Sequence, residues 1–229
     1  MGRKRKDQRG ELARTALIEA AEELFAEKGV ENVSIREIGK AIGSDNNAVV
    51  TYYFGNKSGL LQAIYEYRIP ELEQKRSELL QLAESNGLGQ DVLALLYVLL
   101  APIFKQRNSK GAPSYAGFLA SIAHSPEISM VSLSQSYPVT RELADRLRSA
   151  LKLSEKRFWR RLRLISGMII EATKDAVEKE LEGEKSSQIN AFFIESLQMA
   201  SLALSAPLQS PDSLRSFLKT VNKTILIYN

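Results

Sequence analysis

The chain has 229 residues, of which 44% are hydrophobic and 25% are charged, a balance typical of a soluble globular protein. It contains no cysteine and one histidine, which excludes disulfides, thiolate catalysis, Cys-ligated metal sites and a multi-histidine metal cage. The net charge is +4, and the same excess is carried by residues 1–10, which hold five basic side chains and one acidic side chain.

These first residues form a basic arm that includes Arg3, Lys4, Arg5 and Lys6. A charged amphipathic segment follows the arm, without the apolar core of a secretory signal. The longest apolar run, 92–104, is shorter than the roughly 20 residues that a membrane-spanning helix needs. We therefore expect a cytoplasmic protein with no membrane partner.

Four helices are predicted in the N-terminal part of the chain. Apolar residues recur there every three or four positions, and a glycine stands where each of the first three patterns ends. Ser34 and Glu37 have the spacing of a capping box, which indicates the start of the second helix. The predicted helices cover about 11–28, 34–43, from 44–46 to 54, and from Lys57 toward 82.

A larger helical body is predicted beyond the Asn- and Gly-containing segment 86–89. Pro102 lies inside the first helix of this body, where it should open a kink and free a carbonyl. No stretch alternates with period two for long enough to indicate a strand, so the predicted fold class is all-α. The predicted helices are 91–106, 114–123, 139–151, 155–181, 188–206 and 213–227.

The two short helices that meet at Gly43 have the pattern of a helix-turn-helix, whose second helix enters the major groove of DNA. Asn46 and Asn47 fall in the first turn of that helix, where an amide can pair with an adenine edge, and Thr51 lies one turn further on. Taken singly, Asn46 and Asn47 could also be solvated cap residues. Tyr52 and Tyr53 could be packing aromatics, and Lys57 could be a surface charge. The joint register of turn, caps and spacing favours DNA binding, with the basic arm suited to phosphates and the minor groove.

The runs SIREIGKAIG at 34–43 and VTYYFGNKSGLL at 50–61 strongly resemble the TetR family of bacterial transcriptional regulators. The resemblance is specific over about 8–67 and only architectural afterwards. It implies a three-helix DNA-binding domain, a C-terminal domain for ligand binding and dimerisation, and repression relieved by a small molecule. The stretch from Gly43 to Phe54 is one residue longer than the family's commonest pattern and resembles instead a subgroup written G-x-x-N-N-x-A-V-x-Y-H-F. Within that subgroup pattern, Asp45 stands where a basic residue is usual and Tyr53 stands where a histidine is usual, so the base preference is not carried over.

By position, the resemblance implies a DNA-backbone contact for Tyr52 and a phosphate contact for Lys57. It implies base contacts for Thr51 and Asn47, and a phosphate contact for Arg36. The expected organisation is a basic arm at 1–10, a helix-turn-helix domain at 11–56, a linking helix at 57–84 and a ligand-binding and dimerisation domain at 85–229. With the arm, the predicted DNA-binding residues are Ser34, Arg36, Ser44, Asn46, Asn47, Thr51, Tyr52, Tyr53 and Lys57.

An effector cavity is predicted among the central helices, because pockets in all-α proteins form between helices and are mostly apolar. The same aromatic and aliphatic side chains would also be explained by simple core packing, and the kink at Pro102 favours a cavity nearby. The predicted ligand-binding residues are Tyr97, Phe104, Tyr115, Phe118, Leu119, Ile122, Trp159 and Met168.

A homodimer is predicted, because one helix-turn-helix reads few base pairs and two copies must be held about 34–36 Å apart. Two apolar stripes, on 155–181 and 188–206, can form a four-helix bundle across a two-fold axis. The alternative is that a stripe faces the protein's own core. The predicted interface residues are Leu162, Ile165, Ile169, Ala172, Ala176, Phe193, Leu197, Ala200 and Leu204.

The sequence therefore predicts a ligand-responsive DNA-binding transcriptional regulator, a repressor released from a palindromic double-stranded operator by a small apolar or amphipathic effector. The alternative is an all-α small-molecule-binding module without operator-specific DNA binding. An enzyme is not expected, because the sequence lacks an activated nucleophile with its base, a metal cluster and a Gly-rich phosphate cradle. No cofactor or metal is expected.

Overall fold

The computed structural model describes residues 2–44, 48–122 and 137–207, and every regular element in these ranges is a helix. The all-α prediction is confirmed. A one-turn 3₁₀ helix at Val30–Asn32 follows the first helix. The helices are α1 (Gly2–Lys28), α2 (Ile35–Ala41), α3 (Val49–Phe54), α4 (Lys57–Ser85), α5 (Val92–Lys105), α6 (Ser114–Ile122), α7 (Pro138–Leu151), α8 (Glu155–Leu181) and α9 (Ser186–Ser205).

The largest difference from the predicted boundaries lies at the start of α1, which begins at Gly2 and not near residue 11. Lys, Arg and Gln are good helix formers, and no proline interrupts residues 2–10, so the helical backbone runs through the basic segment. In the described residues α3 begins at Val49, later than the predicted start near 44–46. The predicted helix at 213–227 lies outside the described residues.

Side-chain caps begin three of the helices as their sequences suggest. The Ser34 hydroxyl accepts a hydrogen bond from the Glu37 amide at 3.2 Å, as the capping box predicts. Asn56 caps α4 through the Gly59 amide at 2.8 Å, and Asp91 caps α5 in the same way. Each cap satisfies an amide that the first turn of a helix leaves without a partner.

The N-terminal helices pack directly on the C-terminal body through α1. This helix contacts α2 and α4 on one side and packs along α6 on the other. The crossing with α6 is close, since a Cβ placed on Gly117 would lie 2.8 Å from the Cβ of Ala26. Only small residues at both positions allow this approach, so α1 belongs to both halves of the molecule.

Carboxylates on α1 add polar contacts to the same junction. Glu22 is buried and makes a two-point ion pair with Arg68 of α4, at 2.7 and 2.9 Å. Glu23 accepts hydrogen bonds from Asn108 at 2.6 Å and Lys110 at 2.8 Å, both in the connection between α5 and α6. The connection therefore lies along α1 and is held there by charged groups.

The remaining helices form the C-terminal body. Helices α8 and α9 pack against each other, α8 also contacts α6, and α5 lies among α4, α7 and α9. Arg161 of α8 donates hydrogen bonds of 2.6 Å to the carbonyls of Leu204 and Ala206 at the end of α9. The start of α8 thus lies beside the end of α9, and the two helices run antiparallel.

Candidate DNA-binding surface and effector cavity

The outer face of α3 is exposed to solvent. Val50 is fully buried and fixes this helix against the core, whereas Thr51 is exposed and Tyr52 is 81% exposed. A large aromatic side chain held outward by a buried neighbour is suited to contact with a second molecule, as a helix-turn-helix requires. The predicted residues Asn46 and Asn47, with Asp45, lie outside the described residues.

Tyr53 occupies a different environment from Tyr52. The two rings meet edge to face with centroids 5.0 Å apart, but Tyr53 is half-buried and also lies 6.1 Å from the ring of Phe54. Its hydroxyl reaches α1 at Gly10, lying 3.8 Å from where a Cβ on that glycine would be. Tyr53 thus packs α3 against α1 and supports Tyr52, whereas the Tyr52 ring is exposed.

Lys57, a predicted phosphate contact, has its amine engaged within the domain. Its Nζ donates to the Val30 carbonyl and lies 5.7 Å from the centroid of the Phe25 ring. The lysine therefore connects the start of α4 to the turn that follows α1. The sequence position of a lysine does not show whether its amine points outward or into the domain, which is why the pattern missed this interaction.

The other predicted DNA contacts lie on α1 and at or near α2. Arg36 is exposed in the first turn of α2, and Ser34 uses its hydroxyl as the cap of that helix. Ser44 is half-buried. For Arg3, Lys4, Arg5 and Lys6 the structure describes a helical backbone only. These predictions of DNA contact stay predictions.

A cavity of about 120 Å³ lies between α4, α5, α6, α7 and α8. Most of its wall is aliphatic, with Trp159 as the largest aromatic side chain. The polar residues of the wall are Tyr65, Arg76, Tyr115, Thr140, Arg163 and Ser166. A mostly apolar chamber with a few polar groups has the character of a small-molecule site.

Arg76 is the most unusual member of this wall, since it is charged and only 4% exposed. Its Nε donates to the Leu99 carbonyl at 3.0 Å, in the turn before Pro102, and its Nη1 donates to the Thr140 hydroxyl at 2.8 Å. Glu73 lies 3.8 Å from the same Nη1. Burial lowers the pKa of Arg76, although nearby Tyr65, Tyr115 and Glu73 oppose that effect.

Two buried tyrosines face the same region. Burial raises the pKa of Tyr65 to about 12, and it raises the pKa of Tyr115 well above its ordinary value. Both phenols are therefore neutral hydrogen-bond donors at physiological pH.

Comparison with known proteins bears on the domain that carries the exposed face of α3. The sequence profile described as "Bacterial regulatory proteins, tetR family" matches residues 17–64, which run from α1 into α4. Over these residues the N-terminal part of the chain is similar to the TetR family. The resemblance stated from residues 34–61 is thus confirmed over most of its extent.

Curated relatives carry the name HTH-type transcriptional regulator BetI. The protein of Yersinia pestis (strain Pestoides F) is 32% identical over 119 residues, which are 51% of this chain and 58% of the relative. That of Pectobacterium carotovorum subsp. carotovorum (strain PC1) is 32% identical over 118 residues, with shares of 50% and 57%. The chain thus spans somewhat more than half the length of these relatives.

A solved structure of RolR in complex with the ligand resorcinol can be aligned over 89% of this chain and 98% of its own. The TM-score is 0.39 and the sequence identity is 20%. Likeness at this level supports no further statement about the present chain.

The cavity contains some of the predicted ligand-binding residues and not others. Tyr115, Leu119 and Trp159 are part of the wall. Phe104 stacks on Phe193 with centroids 4.4 Å apart, so it serves the packing of α5 on α9. Tyr97 also lies outside the wall and contacts the ring of Phe193. Phe118 and Ile122 are fully buried in the core, and Met168 is exposed on α8.

Helix α4 contributes cavity residues that the sequence analysis missed. Tyr65, Ile69, Leu72 and Arg76 all face the chamber from this helix. Their apolar period fits any buried face, so the pattern predicts only a linking helix there. The signal that could have found them is Arg76, a charged residue at a position that the period places inward.

The residues of the predicted dimer interface are buried or half-buried within the single chain, and their role in an interface stays a prediction. Leu197, for example, is 0% exposed in the single chain. Helices α8 and α9 pack on each other and on α5 and α6, and the stripes fill those contacts. Buried residues are Leu162, Ile165, Ile169, Ala176, Phe193, Leu197, Ala200 and Leu204, and Ala172 is half-buried.

The opposite faces of the same two helices carry exposed apolar side chains. Leu164 is 67% exposed and Leu202 is 74% exposed, and Met168 and Met199 are also exposed. Because α8 and α9 run antiparallel, with residue 161 beside 204, these four residues lie at neighbouring levels. We call them the α8–α9 patch.

No helix within the described ranges is long and apolar enough to span a membrane.

Proposed function

We propose that this protein is a ligand-responsive DNA-binding transcriptional regulator. The observation that carries the proposal is the exposed face of α3, with Thr51 and Tyr52 outward over buried Val50, inside the part of the chain that matches the TetR family. A chamber in the C-terminal body supplies a place for a ligand.

Helix α4 connects the chamber to the DNA-binding domain. It begins at Lys57, bonded to the turn after α1, and Ile69, Leu72 and Arg76 further along it line the cavity. Helix α6 makes a second connection, because Tyr115 lines the cavity and Gly117 abuts α1. A ligand that displaces either helix would shift the DNA-binding surface, and we propose that this releases a repressor from its operator.

We also propose that the protein works as a homodimer on a palindromic operator, with the α8–α9 patch as the interface. Exposed Leu and Met side chains that lie together on one face are typical of a protein contact. A two-fold interface would set two α3 helices on one side of the duplex.

The test of DNA binding uses fluorescence anisotropy with labelled random duplex at low salt, followed by selection of preferred sequences. We expect Tyr52→Ala to weaken binding about tenfold, in keeping with the removal of one interaction with a phosphate or sugar. Leu82→Ala, a matched change at an exposed apolar residue near the end of α4, should leave binding unchanged. An equal effect of the two changes, or no binding by the wild type, would favour the alternative of a small-molecule-binding module.

The test of the dimer uses light scattering at micromolar concentration. The wild type should have twice the 25.5 kDa of one chain, and Leu164→Arg with Leu202→Arg should halve that mass while the helical circular dichroism stays intact. Leu12→Arg, at another exposed leucine, is the control. A double variant that remains dimeric would remove the α8–α9 patch from the interface.

A further inference from the structure

The wall of the cavity is unbalanced in charge. Among the described residues that line it are two guanidiniums, those of Arg76 and Arg163, and no carboxylate. Arg163 is exposed and so lies where the chamber meets solvent, whereas Arg76 is buried at its inner side. A molecule entering the chamber therefore meets positive charge at both positions.

The nearest carboxylate, that of Glu73, is directed mainly to other donors. It accepts hydrogen bonds from the amides of Val139 and Thr140, at 2.8 and 3.0 Å, and from the Thr140 hydroxyl. These are the first residues of α7, so Glu73 serves as the acceptor for the start of that helix. Its approach to Arg76 is the longer contact of 3.8 Å.

The guanidinium of Arg76 keeps one nitrogen for another partner. Nε and Nη1 are directed to Leu99 and Thr140, and no acceptor among the described residues takes Nη2. Tyr65 and Tyr115 line the same chamber with neutral hydroxyls. A guanidinium nitrogen and phenol donors in one apolar chamber form a site for an oxyanion, because a charge-assisted hydrogen bond is stronger where water is excluded.

We propose that the ligand of this cavity is a small organic monoanion with a flat apolar body, whose acidic group binds Arg76. The inference rests on the proposed function only in taking the cavity as the effector site. The aliphatic wall and Trp159 hold the body, and Arg163 faces the acid as it enters. A cationic ligand is disfavoured, because it would meet two guanidiniums in a poorly solvated space.

The experiment is isothermal titration calorimetry of the full chain, without DNA, using ligands of one shape and different charge. The probes are benzoate and 2-naphthoate, their neutral amides, and the corresponding arylmethylamines as cations. We expect at least one acid to bind at least tenfold more tightly than its amide, and the amines to give no binding heat. Equal or tighter binding of the amides or amines, or no binding by either acid, overturns the proposal.

Three variants locate the binding. Arg76→Gln should reduce the ratio of acid to amide affinity to near one, and Arg76→Lys should restore part of it. Arg146→Gln is the matched control, because Arg146 is paired with Glu84 and Glu142 outside the cavity wall. An unchanged ratio in Arg76→Gln would overturn the proposal.

Gly167→Leu keeps the proposal testable if Arg76 variants do not fold. Gly167 lines the cavity, and a Cβ placed on it meets no atom within 4 Å, so the added side chain has room. It should abolish acid binding while the helical circular dichroism is unchanged. If the acid still binds this variant with wild-type affinity, the acid binds elsewhere and the proposal fails.

The design separates this inference from the proposed function. If an acid binds by these criteria but does not release the protein from DNA, the proposal about the ligand class stands and the proposed regulation by that ligand fails. A chain that binds DNA specifically but takes no acid retains the regulatory role and removes the ligand class.

Discussion

The buried ion pair between Glu22 and Arg68 gives the sharpest test of how the two halves of the molecule are joined. Glu22 is fully buried on α1, and Arg68 on α4 reaches it through two nitrogens at 2.7 and 2.9 Å. Glu22 also accepts the Ser114 hydroxyl at the start of α6. Burial lowers the pKa of Arg68, but the hydrogen bond and the charge of Glu22 outweigh this effect and leave the pKa raised.

Replacing Glu22 with Met should leave the Arg68 guanidinium buried without a counter-charge. Breaking a buried pair in this way costs about 3–5 kcal/mol, a large part of the roughly 5–15 kcal/mol by which a domain is stable. The double variant Glu22→Met with Arg68→Met removes both charges and keeps an apolar contact of similar volume. It should cost less than either single change, because the desolvation penalty of the unpaired charge is gone.

The measurement is urea unfolding followed by circular dichroism, with the free energy of unfolding obtained from linear extrapolation. Lys28→Gln is the control, since Lys28 joins α1 to Glu37 in an exposed pair at 2.6 Å. Water screens that pair, so its loss should leave stability almost unchanged. If the double variant is as unstable as the sum of the singles, the two residues act independently and the reasoning is refuted.

Four further predictions follow from particular contacts. Gly117→Ala should lower the melting temperature and reduce the free energy of unfolding by about 1–3 kcal/mol, because the new methyl group lies 2.8 Å from the Cβ of Ala26. Adding Ala26→Gly to the same chain should restore the melting temperature. Gly167→Ala should instead raise stability by up to about 1 kcal/mol in the same thermal assay, since its Cβ has space and alanine is the better helix former. The pKa of Tyr65 is raised to about 12, so the stability that the neutral Tyr65 phenol contributes is present below pH 10 and is lost as the pH rises through 12. The difference between the ultraviolet titrations of the wild type and Tyr65→Phe should show this late ionisation. A midpoint near pH 10 would contradict the prediction. Deletion of residues 2–9 should flatten the dependence of the logarithm of the DNA-binding constant on the logarithm of salt concentration. The slope should fall by about 0.9 for each phosphate that the basic segment neutralises in the wild type. An unchanged slope would show that this segment does not contact DNA.

Local sequence signals predicted the helices well where a helix boundary depends only on nearby residues. The capping box at Ser34 and the glycines that end helices depend on neighbours a few positions away, so their effect can be read along the chain. The period of apolar residues likewise showed which face of α8 and α9 is buried. The start of α1 was missed because the basic segment has no apolar stripe, although its residues are good helix formers.

The choice of partner for a buried face was decided only by the tertiary structure. A stripe such as that containing Leu197 has the same period whether it packs in its own chain or across a dimer, and here the single chain buries it. For the same reason the sequence could not separate Phe104, which packs on Phe193, from Tyr115, which lines the cavity. The sequence by itself determined the all-α class and the helix-turn-helix, because these depend on spacing, caps and turns. The site around Arg76 depends on α4, α5 and α7 meeting from distant parts of the chain, and only their packing brings Leu99, Thr140 and the guanidinium together.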